Sequence, residues 1–133
     1  MCSAAGTAAA ARRLARPGGG QVTLGLLQAA ADDCAEAVIV TNRAAQILMV
    51  NGIAARLLGM STLELQRLTM WDITESSHQG DFEVLWKEFL RAGRQRGHFA
   101  VRRKDGLVIN VAYCTEADVL PHQVVSVLRK LDG

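Results

Sequence analysis

The most informative segment of the sequence is AVIVTNRAAQILMVNGIAARLLGMSTLELQ, residues 37–66, because the spacing of its apolar residues changes halfway along it. Residues 37–41 and 46–50 are two apolar, β-branched runs separated by four residues. That separation predicts a β-hairpin, in which Asn42 can adopt the backbone angle that most residues avoid. The spacing after residue 52 is helical instead, so the hairpin is expected to lead into helices.

Two short helices are predicted after this hairpin. Residues 53–58 carry apolar side chains at helical spacing, and Gly59 suits the end of that helix. Ser61 and Glu64 have the spacing of a capping box, which predicts that a second helix begins there.

The clearest helix of the chain is predicted between Asp81 and Gly93. Its apolar residues recur at positions i, i+3, i+4, i+7 and i+8, and they are Phe82, Leu85, Trp86, Phe89 and Leu90. Asp81 suits the first turn of such a helix, and Gly93 suits its end. The helix therefore has one apolar face, which we expect to pack on a sheet.

The apolar period returns to two in the last third of the chain. Residues 98–103 and 107–114 flank an Asp-Gly turn and are predicted to form a second hairpin, and residues 124–129 a last strand. The basic residues 102–104 beside that turn are interpreted as solubilising charge. Together these elements predict an α+β fold, a five-stranded antiparallel sheet with short helices packed on one face.

This order of elements resembles a PAS domain over residues 26–130. The residues that carry the resemblance are 38–41, Val50, Asn51, 54–59, Ser61, Glu64 and 103–106. The resemblance implies a sensory or protein-interaction module of the kind found in bacterial histidine kinases and transcriptional regulators. It implies a PAS domain over residues 36–131, preceded by a helical segment, residues 21–35, that is a candidate dimerisation element.

Composition excludes several other classes of protein. Residues 1–20 are rich in Ala, Arg and Gly, which predicts a disordered tail. The 133 residues include 15 Lys or Arg and 13 Asp or Glu, so no large basic field is available to attract nucleic acid or a membrane surface. Three widely separated cysteines without a CxxC pair indicate neither a disulfide framework nor a metal site. This use of cysteine predicts a cytoplasmic location.

No arrangement typical of catalysis, such as Ser-His-Asp, Cys-His or paired carboxylates, is present in the sequence, and we predict that the chain is not an enzyme. The resemblance instead implies a pocket between the sheet and the helices. The apolar residues predicted to line it, and to take up a small apolar molecule, are Ile39, Met49, Leu85, Trp86, Ile109, Val111 and Val127.

The identity of any cofactor is left open, and the absence of one is favoured. His78 is the candidate haem ligand, but it lies in a polar, glycine-containing stretch and is interpreted as a surface residue. The Asn-Cys-Arg-Phe motif of flavin-binding light-oxygen-voltage domains is missing from residues 65–77, and Val111 stands where those domains carry a flavin-binding Asn.

We therefore predict a sensor that signals through homodimerisation to a kinase or DNA-binding output domain of a longer protein. The alternative is a ligand-free interaction module with a filled core, and a haem or flavin sensor is the third reading. In the first two readings the predicted dimer contacts are the helix over residues 22–31 and the outer sheet face of Val108, Asn110, Ala112 and Val125.

Overall fold

The structure, a computed structural model, describes residues 24–75, 79–117 and 122–131. Within these ranges the elements are α1 (Leu24–Asp32), β1 (Ala37–Asn42), β2 (Ile47–Val50), α2 (Gly52–Leu58), α3 (Thr62–Leu65), α4 (Met70–Ile73), α5 (Gln79–Ala92), β3 (Arg94–Arg102), β4 (Val108–Ala117) and β5 (Gln123–Lys130). The strands form one antiparallel sheet in the order β2-β1-β5-β4-β3. The predicted α+β fold with a five-stranded antiparallel sheet is confirmed, whereas the predicted tail, residues 1–20, lies outside the described ranges.

The second hairpin is longer than predicted. β3 begins at Arg94, before the predicted start at residue 98, and the pairing runs unbroken from Arg94 opposite Glu116 to Arg102 opposite Val108. The first residues of β3 are polar or glycine, so they show no apolar alternation that would indicate a strand. Their strand conformation comes from pairing with β4, a tertiary contact that overrides a weak local preference.

The loop between β1 and β2 is held by the side chain of Asn42. Its Oδ1 accepts hydrogen bonds from the backbone N–H groups of Ala44, at 2.9 Å, and Gln46, at 3.0 Å. The left-handed backbone conformation falls on Ala45, whose φ is +64°, and not on Asn42 as predicted. A side chain in this conformation costs roughly 1–2 kcal/mol. The Ala45 methyl group is fully buried in the core, which offsets part of that cost.

The three short helices are each capped by local hydrogen bonds. α2 ends at Gly59, which has a left-handed φ of +67°. Ser61 and Glu64 form the predicted capping box at the start of α3. Thr69 and Asp72 form a second capping box at the start of α4, which was not predicted. These caps satisfy backbone N–H groups that helices of this length leave unpaired.

The turn between β3 and β4 is tied to α2 and α3. Arg103 Nη1 donates hydrogen bonds to two backbone carbonyls at the end of α2, at 3.1 and 2.8 Å. Lys104 Nζ donates to the Glu64 carboxylate, and this hydrogen bond is the main reason that the pKa of Glu64 lies below its ordinary value. The interpretation of residues 102–104 as solubilising charge is therefore wrong for Arg103. Its side chain donates hydrogen bonds to carbonyl groups at a helix end.

Asn51 joins four segments of the chain at the start of α2. Its Oδ1 accepts hydrogen bonds from the N–H groups of Val38 and Ala54, both at 3.0 Å. Its Nδ2 donates to the carbonyls of Ala31, at 2.9 Å, and Glu36, at 2.8 Å. The side chain is 2% exposed, so these bonds are made away from water. Asn51 thereby connects α1 and the segment after it to β1 and α2.

The main core lies between the sheet and helices α2 to α5. Its buried residues are Ala37, Ile39, Ala45, Ile47, Val50, Ala54, Leu58, Leu65, Met70, Ile73, Trp86, Phe89, Val101, Ile109, Val111, Val124 and Leu128. Successive strand residues project to opposite faces. Val38, Val40 and Val125 therefore face away from this core, yet they are also buried. α1 contacts β2 and contributes buried Ala30 and Ala31.

Burial on this second face corrects the predicted dimer surface. Val125 was predicted to be an outer contact residue, but it is fully buried within the single chain. Val108 and Asn110 are exposed, and Ala112 is partly exposed. Of the four sheet residues predicted to contact a partner, Val108, Asn110 and in part Ala112 are therefore accessible, and Val125 is not.

Replacing Asn51 by Ala should destabilise the fold strongly. The change removes four hydrogen bonds and leaves buried partner groups unpaired. At about 1 kcal/mol for each bond, the free energy of unfolding should fall by about 3–4 kcal/mol. Urea unfolding followed by circular dichroism measures this loss. Ser61→Ala is the matched control, because it removes an exposed helix cap worth about 1 kcal/mol. Equal losses for the two variants would contradict the role assigned to Asn51.

Candidate functional site

A cavity of about 190 Å³ lies between the sheet and the first half of α5. Its lining residues are Met70, Thr74, Asp81, Phe82, Leu85, Trp86, Gln95, His98, Phe99, Tyr113, Thr115, Ser126 and Leu128. They come from the α4 region, α5, β3, β4 and β5, so the cavity exists only when the sheet and both helices are assembled.

Aromatic rings form a continuous wall on the helix side of the cavity. Phe82 stacks on Trp86 with ring centroids 5.6 Å apart, and it meets Trp71 edge-on at 4.8 Å. Trp86 also contacts Phe89 at 5.2 Å, and its Nε1 donates a hydrogen bond to the Arg43 carbonyl at 2.9 Å. Because both its neighbouring rings and its N–H group are engaged, the Trp86 ring is held in one orientation.

Tyr113 and Gln95 connect the sheet to α5. The Tyr113 hydroxyl donates to Gln95 Oε1 at 2.7 Å, and Gln95 Nε2 donates to the Leu85 carbonyl at 3.2 Å. The Tyr113 ring meets Phe99 edge-on at 5.3 Å. It also lies over Gly97, where a β-carbon would come within 3.0 Å of the ring. Burial raises the pKa of Tyr113 above its ordinary value.

Three buried hydroxyl groups line the deeper part of the cavity. The Oγ atoms of Thr115 and Ser126 lie 2.8 Å apart, and Thr115 Oγ1 donates to the Val125 carbonyl at 3.2 Å. Thr74 Oγ1 donates to the Met70 carbonyl at 2.7 Å. All three hydroxyl-bearing residues are less than 5% exposed. The cavity therefore combines an aromatic wall with a few fixed polar groups, which is typical of small-molecule sites.

The cavity reaches the surface at α5. Asp81 and Leu85 on α5 are exposed members of its lining, whereas the exposed His98 lies opposite Ala112 and its side chain projects from the other face of the sheet. Leu85 is 38% exposed although it is a large apolar residue. Its side chain therefore stands at the boundary between the cavity and water.

Five of the seven predicted pocket residues lie on the helix side of the sheet. Leu85 and Trp86 line the cavity. Ile39, Ile109 and Val111 are buried in the main core but do not line the cavity. These three residues lie in the same layer as the cavity, at places where the helices pack directly on the sheet.

Met49 and Val127 are not pocket residues, which corrects the prediction. Val127 lies opposite Val38, and Met49 lies opposite Val40, so both project from the face that does not carry the cavity. The error has a physical cause. β2 and β5 carry buried side chains on both faces, and an apolar run buried on both faces does not reveal which side chains point to which layer.

The polar lining residues were missed by sequence reasoning. Gln95 and Tyr113 belong to the second hairpin, and Thr115 lies beyond the predicted end of its strand. Ser126 interrupts an otherwise apolar strand, which was the available signal for a polar group facing a buried site. Their proximity follows from strand pairing, which the sequence pattern alone does not specify.

Among the residues that the structure describes, no three or more His, Cys, Asp or Glu side chains are grouped so that they could hold a metal ion. His78 lies outside the described residues. Val111 is fully buried and apolar, so it supplies no polar group to a flavin.

Within the described ranges, no helix combines the length and the apolar character needed to cross a membrane.

Tyr113 should ionise at a higher pH in the native protein than in the unfolded chain. It is the one tyrosine of the sequence, so absorbance at the phenolate band reports on it alone. Because burial raises its pKa in the folded state, its contribution to stability is complete below the unfolded pKa and is lost as pH rises through the folded pKa. Spectrophotometric titration with and without urea measures both values. Tyr113→Phe is the blank, and a native pKa at or below the denatured one would contradict the buried position.

The structure is similar to solved PAS-domain structures, although no protein-family model and no curated protein matches the sequence. A domain of a sensory box sensor histidine kinase/response regulator from Geobacter sulfurreducens has a TM-score of 0.70 at 12% identity, over 79% of this chain and 91% of that one. The PAS domain of a LuxR-family transcriptional regulator from Burkholderia thailandensis, solved in complex with ethanol, has a TM-score of 0.65 at 14% identity, over 79% and 96%.

A third structure, the LOV protein of Rhodobacter sphaeroides, has a TM-score of 0.68 at 10% identity, over 78% of this chain and 64% of that one. At these identities the likeness concerns the arrangement of the backbone. The five-stranded antiparallel sheet with several short helices matches the PAS-like α+β fold of these structures. The prediction made from the sequence is confirmed: this chain has the PAS fold.

Proposed function

We propose that this chain is a sensory signal-transduction module that binds a small, mainly apolar molecule in the cavity. The observation that carries the proposal is the cavity of about 190 Å³ itself, because its walls are aromatic and its few polar groups are fixed. An apolar protein cavity of roughly 150 Å³ is large enough to bind benzene. A molecule with one or two small rings therefore matches the available space.

Similar structures support a sensory role. They include domains of sensor histidine kinases and of a transcriptional regulator, and the regulator's PAS domain was solved with ethanol. A small organic molecule in a domain of this fold is consistent with the cavity described above. The proposed role is binding rather than catalysis. The output kinase or DNA-binding domain and the cytoplasmic location remain predictions.

A ligand in the cavity can change the positions of neighbouring elements through two sets of contacts. Gln95 bonds the Leu85 carbonyl of α5, so a molecule that displaces α5 would strain or break the hydrogen bonds from Gln95 to α5 and from Tyr113 to Gln95. Ser126 and Leu128 bring β5, the central strand, into contact with the same molecule. A ligand that favours one position of these elements shifts the population towards it.

Toluene should stabilise the protein by occupying this cavity. At ten times its Kd, binding to the folded state alone adds about 1.4 kcal/mol of stability and raises Tm by several degrees. Leu85→Trp places a larger ring at the opening and should abolish this rise. Val84→Trp is the matched control, because Val84 neighbours Leu85 but is 59% exposed and does not line the cavity. Thermal unfolding by circular dichroism is the measurement, and equal stabilisation of both variants would exclude this cavity as the binding site.

The second candidate function is a ligand-free dimerisation module. The observation that favours it is the exposure of two apolar residues, Leu107 directly before β4 at 59% and Val108, the first residue of β4, at 46%. Under this alternative, Val108→Asp should convert a dimer into a monomer in sedimentation experiments, and toluene should change neither Tm nor mass. A monomeric wild-type chain at high micromolar concentration would contradict the alternative.

A further inference from the structure

We infer that the cavity selects small, neutral aromatic molecules that donate a hydrogen bond, with Ser126 Oγ as the acceptor that determines this specificity. The inference rests on the proposed function and adds the chemical class of the ligand. It is derived from the direction of each hydrogen bond in the lining. Several of these bonds end on a backbone carbonyl, and because a carbonyl oxygen can only accept, the side chain must be the donor.

The first set of bonds orients the polar side chains of α5 and the second hairpin. Trp86 Nε1 donates to the Arg43 carbonyl, so the indole N–H is occupied. The amide nitrogen of Gln95 faces the Leu85 carbonyl, which leaves Gln95 Oε1 to face Tyr113. The Tyr113 hydroxyl must therefore donate to Gln95, since an amide oxygen cannot donate.

The second set orients the buried hydroxyl groups. Thr115 Oγ1 donates its single proton to the Val125 carbonyl, at 3.2 Å. The bond of 2.8 Å between Thr115 and Ser126 must then use the proton of Ser126. Ser126 Oγ is left with unused lone pairs and no proton to offer, and Ser126 lines the cavity at 4% exposure. Thr74 Oγ1 has likewise given its proton to the Met70 carbonyl.

The buried hydroxyl groups of the lining therefore present lone pairs and no protons to a ligand. A buried acceptor that faces an apolar molecule loses its hydrogen bond to water without replacement, which is unfavourable. A ligand that carries one N–H or O–H group removes this penalty. A carboxylate does not, because the described lining contains neither Lys nor Arg, and the entrance carries the carboxyl group of Asp81. Aromatic rings suit the remaining volume, because Phe82, Trp86 and Phe99 supply the faces and edges for stacking.

Three bicyclic probes of nearly equal size separate these requirements. Indole carries a ring N–H donor, benzofuran carries an oxygen acceptor in its place, and indene carries neither. Isothermal titration calorimetry with the whole chain should show that indole binds about fivefold more tightly than benzofuran, as expected for one neutral hydrogen bond. Benzofuran and indene should bind with similar affinity.

Two variants test the assignment to Ser126. Ser126→Ala should remove the preference for indole while benzofuran and indene still bind. Thr115→Val preserves the shape of the side chain but removes the acceptor of the Ser126 proton. That proton becomes available to a ligand, so the preference should shift towards benzofuran, which a purely structural role of Thr115 would not produce.

The possible results separate the inference from the function on which it rests. Equal binding of indole and benzofuran to the wild-type chain, or a preference for indole that persists in Ser126→Ala, would overturn the inference and leave the proposed function standing. Failure of all three probes to bind would overturn both. Retention of the preference in Val84→Trp and its loss in Ser126→Ala would support the inference, because Val84 lies outside the lining.

Discussion

Thr115 of β4 lies directly opposite Ser126 of β5, and this register decides which side chains line the cavity. Residues directly opposite each other in an antiparallel pair project to the same face. The same register sets Tyr113 opposite Leu128, so all four side chains reach the helix side of the sheet. A slip of one residue would exchange them for the residues of the other face, such as Val127. The hydroxyl pair, the tyrosine and the cavity would be lost together.

The cavity is a large feature for a domain of this size. An unfilled cavity costs roughly 24 cal/mol for each Å³, so a dry one of about 190 Å³ would cost about 4–5 kcal/mol. Small domains have total stabilities of roughly 5–15 kcal/mol. Because the exposed residues Asp81 and Leu85 border the cavity, it is not a sealed void, and the cost is smaller than this value. A molecule that fills the cavity restores packing contacts, and its binding therefore adds directly to the free energy of unfolding.

Helix α5 both closes the core and borders the cavity. Its second half packs tightly, since Phe89 is fully buried and Trp86 is 8% exposed. Its first half covers the cavity with Phe82 and the half-exposed Leu85. The apolar stripe of α5 thus covers the cavity in its first half and packs in the core in its second half. The hydrogen bond from Gln95 to the Leu85 carbonyl lies at the boundary between the two halves.

The PAS fold was predicted from a resemblance, and α4 was not predicted. Local patterns identified α1, α2, α3 and α5, the capping box of Ser61 and Glu64, and the two hairpins. These features depend on residues close in sequence, whose spacing expresses helical or strand periodicity directly. The pocket could be predicted only in part: Leu85 and Trp86 were found because the stripe of one helix defines its buried face.

Tertiary structure decided the rest of the site. Gln95, Tyr113, Thr115 and Ser126 come from three strands, and only the pairing of those strands brings them to one face. Val127 was misplaced for the same reason. It belongs to the central strand, where both faces are buried and the apolar run shows no alternation. Hydrogen bonding to β1 and β4 determines which side chains of β5 face the cavity. This pairing joins residues far apart in sequence, so it cannot be read from the residues of β5 alone.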